Sequence, residues 1–516
     1  MKSLKTFLIW GIVVLVGVAS FTTLAISRGE QVSAVWMVTA AVSVYCIAYR
    51  FYSLYIAKYV MQLDPNRLTP AERHNDGLDY VPTHKGVLFG HHFAAIAGAG
   101  PLVGPVLAAQ MGYLPGTLWI IFGVVFAGAV QDMMVLFVSM RRDGKSLGDI
   151  VKQELGTVPG VIASIGILMI MVIIMAVLAL IVVKALVHSP WGTFTIAATM
   201  PIALFMGIYT RYIRPGKIGE ISIVGFILLM LAVIYGDNVA HSSIGHWFDL
   251  DGIQLTWAIM IYGFVASVLP VWLLLTPRDY LSTFLKIGTI VALAIGILIV
   301  SPALQMPAVT HFIDGSGPVF SGALFPFLFI TIACGAVSGF HALISSGTTP
   351  KMLENETHVR MIGYGGMIME SFVAIMALAA ASSLDPGVYF AMNSPAALIG
   401  TDANTAAEVI TTKLQFPVDA ATLLHTAKEV GENTILSRAG GAPTLAVGMA
   451  HIMSRLIPGE AMMAFWYHFA LLFEALFILT AVDAGTRVAR FMIQDLGSIF
   501  YKPFGNTDSI PANLIA

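Results

Sequence analysis

Residues 89–105 read FGHHFAAIAGAGPLVGP, a run that places three glycines and two prolines within eight residues of an otherwise apolar segment. Proline removes a backbone N–H donor, and glycine tolerates an unwound backbone. Inside a membrane such a break is tolerated where it lines a cavity, because neighbouring groups or a ligand then satisfy the freed backbone. The stretch therefore predicts an interrupted membrane helix beside a ligand site.

The composition of the chain indicates a membrane protein. Of its 516 residues 57% are hydrophobic and 11% are charged, and the mean hydropathy is +0.84. Globular proteins keep about a quarter of their residues charged. Apolar runs of about 20 residues, the length that crosses the hydrocarbon core of a bilayer, recur along the sequence. Because these runs are continuous and do not alternate, we predict an all-α polytopic membrane protein.

About twelve spans are predicted, with boundaries good to a few residues. They lie at 7–26, 32–49, 86–110, 116–140, 158–187, 193–213, 218–236, 254–276, 281–301, 324–346, 361–383 and 461–483.

The positive charges predict an orientation with the N-terminus in the cytoplasm. Most Lys and Arg residues outside the spans then face the cytoplasm, as the positive-inside rule requires. Lys184 and Lys286 fall inside spans near their ends, where their amines are expected to reach the interface. The same orientation requires GGAPTLAVGMAHIM (440–453) to be re-entrant or interfacial. The residues left on the outer side are Arg28, Lys413, Lys428, Arg438 and Arg455.

Motifs of the common enzyme classes do not occur in the sequence. GKS at 144–146 lacks the upstream glycine of a phosphate-binding loop, and no HExxH is present. GAVSG (335–339) lacks the spacing of a nucleophile elbow. His91 and His92 point about 100° apart on a helix, which makes them poor joint metal ligands. We expect no enzymatic activity, no cofactor, no metal site and no nucleic-acid partner.

A second interruption is predicted five spans after the first. Span 8 carries YGFVASVLP (262–270) and runs opposite to span 3 by the charge distribution. Paired interrupted helices in two inverted halves are typical of secondary transporters, so we predict an inverted five-plus-five repeat. The predicted parts are a two-span N-terminal appendage at 1–60, a first repeat at 86–236, a second repeat at 254–483 with an external loop at 384–441, and a cytoplasmic tail at 484–516.

The substrate site is predicted where the two interrupted spans face span 10, TIACGAVSGFHALISSGTTPK (331–351). Glycine lets a backbone approach a ligand, and the N-terminus of a half-helix attracts a carboxylate. The alternative is packing, because Gly, Pro, Ser and Thr are all frequent in membrane helices. The candidate substrate-binding residues are Gly98, Gly100, Pro101, Gly104, Tyr262, Gly263, Ser338 and His341.

Ionisable side chains inside spans are costly and are therefore candidates for coupling an ion to transport. Histidines relay protons, and hydroxyl groups coordinate Na⁺, so H⁺ is expected as the coupling ion with Na⁺ as the alternative. Asp483 is instead expected to form an ion pair with Arg487, four residues further on. The coupling candidates are His91, His92, Asp132, Ser345, Ser346, Glu370 and Glu474.

Long blocks of the sequence resemble the carbon starvation protein A family. They are RHNDGLDYVPTHKGVLFGHHFAAIAGAGPLVGPVLAAQMGYLPG (73–116), PVWLLLTPRDYLSTFLKIGTI (270–290), FPFLFITIACGAVSGFHALISSGTTPKML (325–353), SRAGGAPTLAVGMA (437–450) and FEALFILTAVDAGTR (473–487). The resemblance implies an inner-membrane transporter induced when carbon runs out, associated with peptide utilisation and proton-coupled pyruvate uptake. It also implies the five-plus-five inverted repeat of the amino acid–polyamine–cation superfamily. Full-length members continue past IPANLIA (510–516), so the tail is expected to be incomplete.

Two functions from different classes remain open. One is a secondary active importer of pyruvate or short peptides in the bacterial inner membrane. The other is a membrane sensor or accessory subunit that binds a metabolite without moving it. Paired interrupted helices and buried carboxyl groups favour the importer. The sequence leaves the choice between pyruvate and peptides, the choice between H⁺ and Na⁺, and the oligomeric state open.

Overall fold

The computed structural model describes residue 16 and residues 31–459, 462–506 and 509–516. In this part of the chain the regular structure is helical, and β-pairing is limited to isolated bridges from Ser33 to Ala303 and from Thr83 to Leu353. The predicted span at 7–26 lies outside the described residues, apart from Val16. The predicted all-α class is confirmed.

The principal helices are labelled here in chain order. They are α1 (Ala34–Val60), α2 (Lys85–Ile96), α3 (Gly100–Met111), α4 (Tyr113–Arg141), α5 (Thr157–Leu186), α6 (Pro190–Ile213), α7 (Ile218–Ala240), α8 (Gly252–Val268), α9 (Leu275–Val300), α10 (Leu324–Thr331), α11 (Gly339–Ser345), α12 (Glu356–Ser382), α13 (Ala442–Leu456) and α14 (Met462–Gly497). Shorter helices are Pro70–Arg73, Leu147–Leu155, Pro386–Asn393, Ala396–Ile399, Ala403–Thr412, Ala420–Glu429 and Ile510–Ile515, with 3₁₀ turns at Gly245–Trp247, His311–Asp314, Thr349–Lys351 and Lys502–Gly505.

Eight of the described helices are long and apolar enough to cross a membrane, and the bent pair α2 and α3 makes a ninth if it counts as one span. The predicted spans at 254–276 and 324–346 are shorter in the structure. The first is α8, with 17 residues, and the second divides into α10 with 8 residues and α11 with 7. The chain is a polytopic helical membrane protein, and the total of twelve spans stays a prediction.

The helices differ in how much protein surrounds them. Only 17% of the most apolar window of α5 is buried, against 72% for α12. An apolar helix that the protein leaves uncovered requires lipid around it, whereas a covered helix packs in the centre of the bundle. Helix α12 therefore belongs to the core that holds the polar residues described below, and α5 belongs to the periphery.

The interruption predicted in span 3 is confirmed. Helix α2 ends at Ile96 and α3 begins at Gly100, with a bend of 45° between them. The interruption predicted in YGFVASVLP (262–270) does not lie at Gly263, because α8 runs through this residue; α8 ends at Val268, and residues 269–274, which include Pro270, separate it from α9. Gly263 serves packing there: a Cβ at this position would lie 3.3 Å from Cγ2 of Thr486. A further break lies at 332–338, where a non-helical segment separates α10 from α11.

Segments that the charge pattern places on one side of the membrane also contact one another. Arg141, at the end of α4, forms an ion pair of 2.5 Å with Glu356, at the start of α12. On the opposite side the N–H of Tyr113 donates to the carbonyl of Pro307, at 3.2 Å. The predicted tail boundary at 484 lies inside α14, which continues to Gly497 because its last turns are buried against the loop before α2.

Candidate functional site

The break between α2 and α3 packs against the non-helical segment 332–338. The two backbones approach so closely that no side chain fits between them. A Cβ on Gly100 would lie 2.2 Å from the Cβ of Cys334, and one on Gly104 would lie 2.3 Å from the carbonyl oxygen of Thr331. The expectation that the interrupted span 3 faces span 10 is confirmed, and glycine is required at these positions because a Cβ would collide with the side chain of Cys334 or with the backbone of Thr331.

A cavity of about 500 Å³ lies beside this contact. Gly98 and Gly100 line it from the break, Cys334 and Ser338 line it from the segment 332–338, and apolar side chains of α5 complete the wall. Three of the predicted substrate-binding residues thus share one cavity. Pro101 occupies the first turn of α3, directly after the cavity-lining Gly100. Because α3 begins at this wall, the positive end of its dipole lies at the cavity.

His341 of α11 is fully buried between two carboxyl groups. Its Nδ1 lies 3.0 Å from Oδ2 of Asp132 on α4, and its Nε2 lies 2.8 Å from Oε2 of Glu370 on α12. The sulfur of Cys334 lies 3.5 Å from the same Nε2 and connects this cluster to the cavity wall. Three predicted residues from three helices therefore meet at one point. An imidazole between two carboxyl groups is suited to taking a proton at one nitrogen and releasing one at the other.

His91 and His92 are both buried in α2 and contact different neighbours, as their helical spacing predicts. The Nδ1 atom of His91 lies 2.7 Å from Oδ2 of Asp279, and its Nε2 lies 3.2 Å from Oγ1 of Thr348. The Nδ1 atom of His92 lies 2.9 Å from Oγ1 of Thr349. His91 and Asp279 form a second buried titratable pair, between α2 and α9.

Lys286 is a further functional candidate, and its predicted position near the interface is wrong. Its amine does not reach the interface, because the residue is fully buried in α9. The Nζ atom binds the carbonyl oxygens of Ala94 and Ala97, both at 3.0 Å, and α2 leaves these carbonyls without a helical donor where it ends. The carbonyl of Phe477 at 3.0 Å and the hydroxyl of Thr480 at 2.6 Å complete the shell. A cationic side chain thus holds the broken end of α2 against α14.

The wrong position predicted for Lys286 has an identifiable cause. The predicted span at 281–301 places Lys286 close to its end, but α9 begins at Leu275 and buries the preceding turns. A charge in the run STFLKIGTI was the available signal, since a charge inside an apolar helix must be satisfied by the protein.

Tyr262 and Gly263 lie away from the cavity. The hydroxyl of Tyr262 donates to Oδ2 of Asp483 at 2.7 Å, and Asp483 also pairs with Arg278, with both charged side chains fully buried. Gly263 faces Thr486 of α14. These two predicted substrate residues therefore belong to the packing of α8 on α14, because α8 is not interrupted beside the cavity.

Arg487 pairs with Asp79, so the expected pair with Asp483 is wrong. Its Nη1 lies 2.5 Å from Oδ1 of Asp79, and Nη2 of Arg490 lies 2.6 Å from Oδ2. Burial acts to raise the pKa of Asp79, but the two guanidinium groups lower it below its ordinary value. Asp79 therefore stays ionised and joins the loop before α2 to the end of α14.

The remaining coupling candidates do not share a site in the described part of the chain. The hydroxyl of Ser346 donates to the carbonyl of Ala342 at 2.7 Å and so serves its own helix. Ser345 Oγ and Glu474 Oε1 are buried without a hydrogen-bond partner among the described residues.

Comparison with known proteins gives the family of the chain. A family model described as carbon starvation protein CstA matches residues 33–516. The chain is 65% identical over 515 residues to the peptide transporter CstA of Escherichia coli (strain K12). This alignment covers 99% of this chain and 74% of the relative. It is 59% identical over 528 residues to the pyruvate/proton symporter BtsT of the same organism, covering 98% of this chain and 74% of that protein.

A more distant relative aligns over a similar share of both chains, at lower identity. The peptide transporter CstA of Bacillus subtilis (strain 168) is 46% identical over 484 residues, which is 94% of this chain and 78% of the relative. No solved structure matches the chain. Since the family model spans nearly the whole sequence and relatives of this identity cover almost all of it, the chain belongs to the carbon starvation protein CstA family.

Proposed function

We propose that this chain is a secondary active transporter of small carboxylates such as pyruvate, of short peptides, or of both. The observation that carries the proposal is the cavity at the helix break, with the cluster of Asp132, His341 and Glu370 directly behind its Cys334 wall. A coupled transporter needs a substrate site next to a group that binds the coupling ion. The names of two relatives, a peptide transporter and a pyruvate/proton symporter, agree with these substrate classes.

The carboxylate of the substrate is proposed to meet the first turn of α3. This helix begins at Gly100; Pro101 has no N–H, and the N–H groups of Leu102 and Val103 donate to the carbonyl of Ala99, so the N–H of Gly100 is the donor proposed for the anion. The positive end of the dipole contributes up to about 2 kcal/mol to a partly buried anion. Gly98 leaves room beside the anion, and Ser338 offers a hydroxyl group from the opposite wall. Pyruvate and a dipeptide both share the carboxylate that this site would recognise.

The coupling ion is proposed to be H⁺, with Na⁺ as the alternative. The groups next to the cavity are titratable, and His341 connects the carboxyl groups of Asp132 and Glu370. Lys286 is added to the coupling candidates because it joins the broken end of α2 to α9 and α14. Loss of the charge of Lys286 would remove one of its three N–H donors and weaken its hold on those carbonyls, which would allow the break to move.

We also propose that the chain has twelve spans and an inverted five-plus-five repeat. Its proposed location is the inner membrane, with the N-terminus in the cytoplasm. The bent pair α2 and α3 supports the first half-helix of such a repeat. The contacts between segments predicted on one side support the alternation of the spans, as in the pair of Arg141 and Glu356. The second interrupted helix of the repeat has the least support, since α8 is continuous through Gly263 and ends only at Val268, before Pro270.

A sensor that binds without transport is the second candidate function, and the names of the relatives do not favour it. The absence of enzyme motifs and the transporter names of the relatives support a protein without catalytic activity.

Uptake into proteoliposomes tests the proposal. Labelled pyruvate and a labelled dipeptide are offered under a proton gradient and a sodium gradient, each imposed alone. We expect accumulation of at least one substrate under the inward proton gradient, and loss of this accumulation with a protonophore. Binding to the purified protein without accumulation under either gradient would support the sensor and overturn the transporter.

A further inference from the structure

Three side chains of different chemistry place metal-ligand atoms around one point. The sulfur of Cys334, an imidazole nitrogen of His341 and a carboxylate oxygen of Glu370 lie within 4.8 Å of one another. Nε2 of His341 is 3.5 Å from the sulfur and 2.8 Å from Oε2 of Glu370. Metal–ligand bonds of about 2.0 to 2.3 Å in a tetrahedral site put neighbouring ligands roughly 3.3 to 3.7 Å apart. The nitrogen and the sulfur already have this spacing, and an ion between the three ligands requires the Glu370 carboxylate to move away from Nε2 of His341.

The surroundings of these ligands are those of a prepared site. Asp132 lies 3.0 Å from Nδ1 of His341 and holds the ring so that Nε2 faces the thiol and the carboxylate. Histidines that bind metals almost always have such a carboxylate or carbonyl behind them. Glu370 is fully buried; its Oε2 lies 2.8 Å from Nε2 of His341, whereas its Oε1 has no hydrogen-bond partner among the described residues. A buried carboxylate oxygen without a partner is costly, and a bound cation satisfies it.

We propose that Cys334, His341 and Glu370 bind a divalent transition-metal ion of the zinc class, with Asp132 as the positioning residue. Thiolate and imidazole ligands select Zn²⁺, Co²⁺ or Ni²⁺, whereas Mg²⁺ and Ca²⁺ take oxygen ligands. Three protein ligands leave a fourth position for water or another ligand. Because Cys334 also lines the cavity of about 500 Å³, the ion has a route to the site. Binding displaces the thiol proton of Cys334 to the solvent.

Metal binding and transport exclude each other, a consequence that rests on the proposed function. The ion occupies Nε2 of His341 and the carboxylate of Glu370, which are the atoms proposed to carry the coupling proton. Zn²⁺ therefore inhibits uptake by this chain.

Titration of the purified full chain in detergent with Co²⁺ tests the binding without reference to transport. A cobalt–thiolate bond gives a strong charge-transfer absorption in the near ultraviolet, and Zn²⁺ added afterwards removes it because Zn²⁺ binds more tightly. We expect this absorption in the unmodified chain and its loss in Cys334→Ser. Asp132→Asn is expected to weaken Zn²⁺ binding by about 10- to 100-fold while retaining the absorption at high Co²⁺.

Cys46→Ser is the matched control, since Cys46 is the other cysteine and is exposed on α1. This variant should bind Co²⁺ as the unmodified chain does. Thermal unfolding without metal shows whether Cys334→Ser is folded, and Asp132→Asn replaces it as the decisive variant if it is not. Retention of the cobalt band in folded Cys334→Ser, unchanged Zn²⁺ affinity in Asp132→Asn, or no band in the unmodified chain would overturn the site.

Proteoliposomes provide the second measurement. Zn²⁺ should inhibit uptake by the unmodified chain and by Cys46→Ser, whereas any residual uptake by Cys334→Ser should be insensitive to Zn²⁺. Inhibition that is equal in all three proteins would contradict the proposed link between metal and transport. A complete lack of uptake in every protein would count against the proposed function and would leave the cobalt result to decide the metal site.

Discussion

Glu370 and Glu474 are both buried carboxyl groups in long apolar helices, yet their neighbours differ. Glu370 lies 2.8 Å from His341 and one side chain away from the cavity wall, whereas Glu474 forms no ion pair with the residues that the structure describes. A coupling group must exchange its proton with a neighbour during transport. The contacts therefore favour Glu370 for this role.

Glu370→Gln should lose accumulation driven by a proton gradient by at least tenfold, because the amide cannot take up the coupling proton. It should retain exchange of labelled for unlabelled substrate across the membrane, which needs no net proton movement. Both are measured in proteoliposomes, with Glu474→Gln as the matched control that accumulates substrate normally. Normal accumulation in Glu370→Gln and its loss in Glu474→Gln would transfer the coupling role to Glu474.

Lys286 and Lys184 are two lysines inside predicted spans, and only one of them is buried. Lys286→Met removes the charge that satisfies the carbonyls of Ala94 and Ala97. We expect a loss of about 1–3 kcal/mol in stability, the cost of one buried acceptor left unpaired, because the carbonyl of Ala97 loses its donor while that of Ala94 keeps the hydroxyl of Thr480 at 2.9 Å. Uptake should fall by more than tenfold. The measurements are thermal unfolding in detergent and proteoliposome uptake.

Lys184→Met is the control, since the side chain of Lys184 is exposed on α5. It should change neither stability nor uptake. Wild-type behaviour of Lys286→Met would show that the break of α2 is held without its amine.

At the scale of the helices, the contact between α3 and the end of α10 depends on glycine. Gly104 faces the carbonyl of Thr331 at a distance that no side chain tolerates, whereas Gly288 in α9 has no atom within 4 Å of a built Cβ. Backbone cannot move aside as a flexible side chain does, so the two glycines serve different purposes. Gly104 brings two interrupted spans together, and Gly288 is a replaceable helical residue.

Gly104→Ala should therefore destabilise the protein by about 1–3 kcal/mol, the usual cost of overpacking, and should reduce uptake. Gly288→Ala should be neutral or stabilising by about 0.5–1 kcal/mol, since alanine is the better helix former. Denaturation of both variants in the same detergent measures the difference. Equal stability of the two would mean that α3 and α10 separate without cost.

At the scale of the whole molecule, the carboxylate of Asp79 joins the loop before α2 to helix α14. Asp79 precedes α2 and contacts Arg487 and Arg490 of α14. Asp79→Asn leaves two buried guanidinium groups without their counter-charge, which costs about 3–5 kcal/mol. Asp143→Asn is the control, because Asp143 pairs with Arg73 at the surface, with about half of each side chain exposed, and such pairs contribute about 0–1 kcal/mol.

The Asp79 contribution also predicts a pH dependence. Its pKa is lower in the folded than in the unfolded protein, so the stabilisation is fully present above the unfolded value of about 4 and is lost as the pH falls through the folded pKa. Unfolding measured from pH 7 to below pH 4 should show an acid-induced loss that Asp79→Asn lacks. Parallel curves for the two proteins would contradict this assignment.

The orientation of the molecule is tested by labelling single cysteines in a chain without Cys46 and Cys334. Lys145 and Lys413 are both exposed, and the charge pattern places the first in the cytoplasm and the second outside. A membrane-impermeant maleimide applied to intact cells should label a cysteine at 413 and spare one at 145. The reverse pattern would overturn the orientation and the repeat that depends on it.

The sequence by itself determined the helical membrane class, the approximate positions of the described spans, the break in span 3 and the family. These properties are local, because apolar length and the placement of Gly and Pro act within one segment. It also predicted the cavity residues Gly98, Gly100 and Ser338, and the buried groups Asp132, His341 and Glu370, since a polar residue in an apolar run is visible without its partner.

Only the tertiary structure decided which of these groups meet. The spacing of Asp483 and Arg487 suggested a pair within one helix, but Asp483 contacts Arg278 and Arg487 contacts Asp79. Lys286 was expected at the interface and lies instead on the carbonyls at the end of α2. The physical reason is common to these cases. A buried charge takes whichever partner the packing of separate helices brings within hydrogen-bond distance, and spacing along one helix does not specify the neighbour across it.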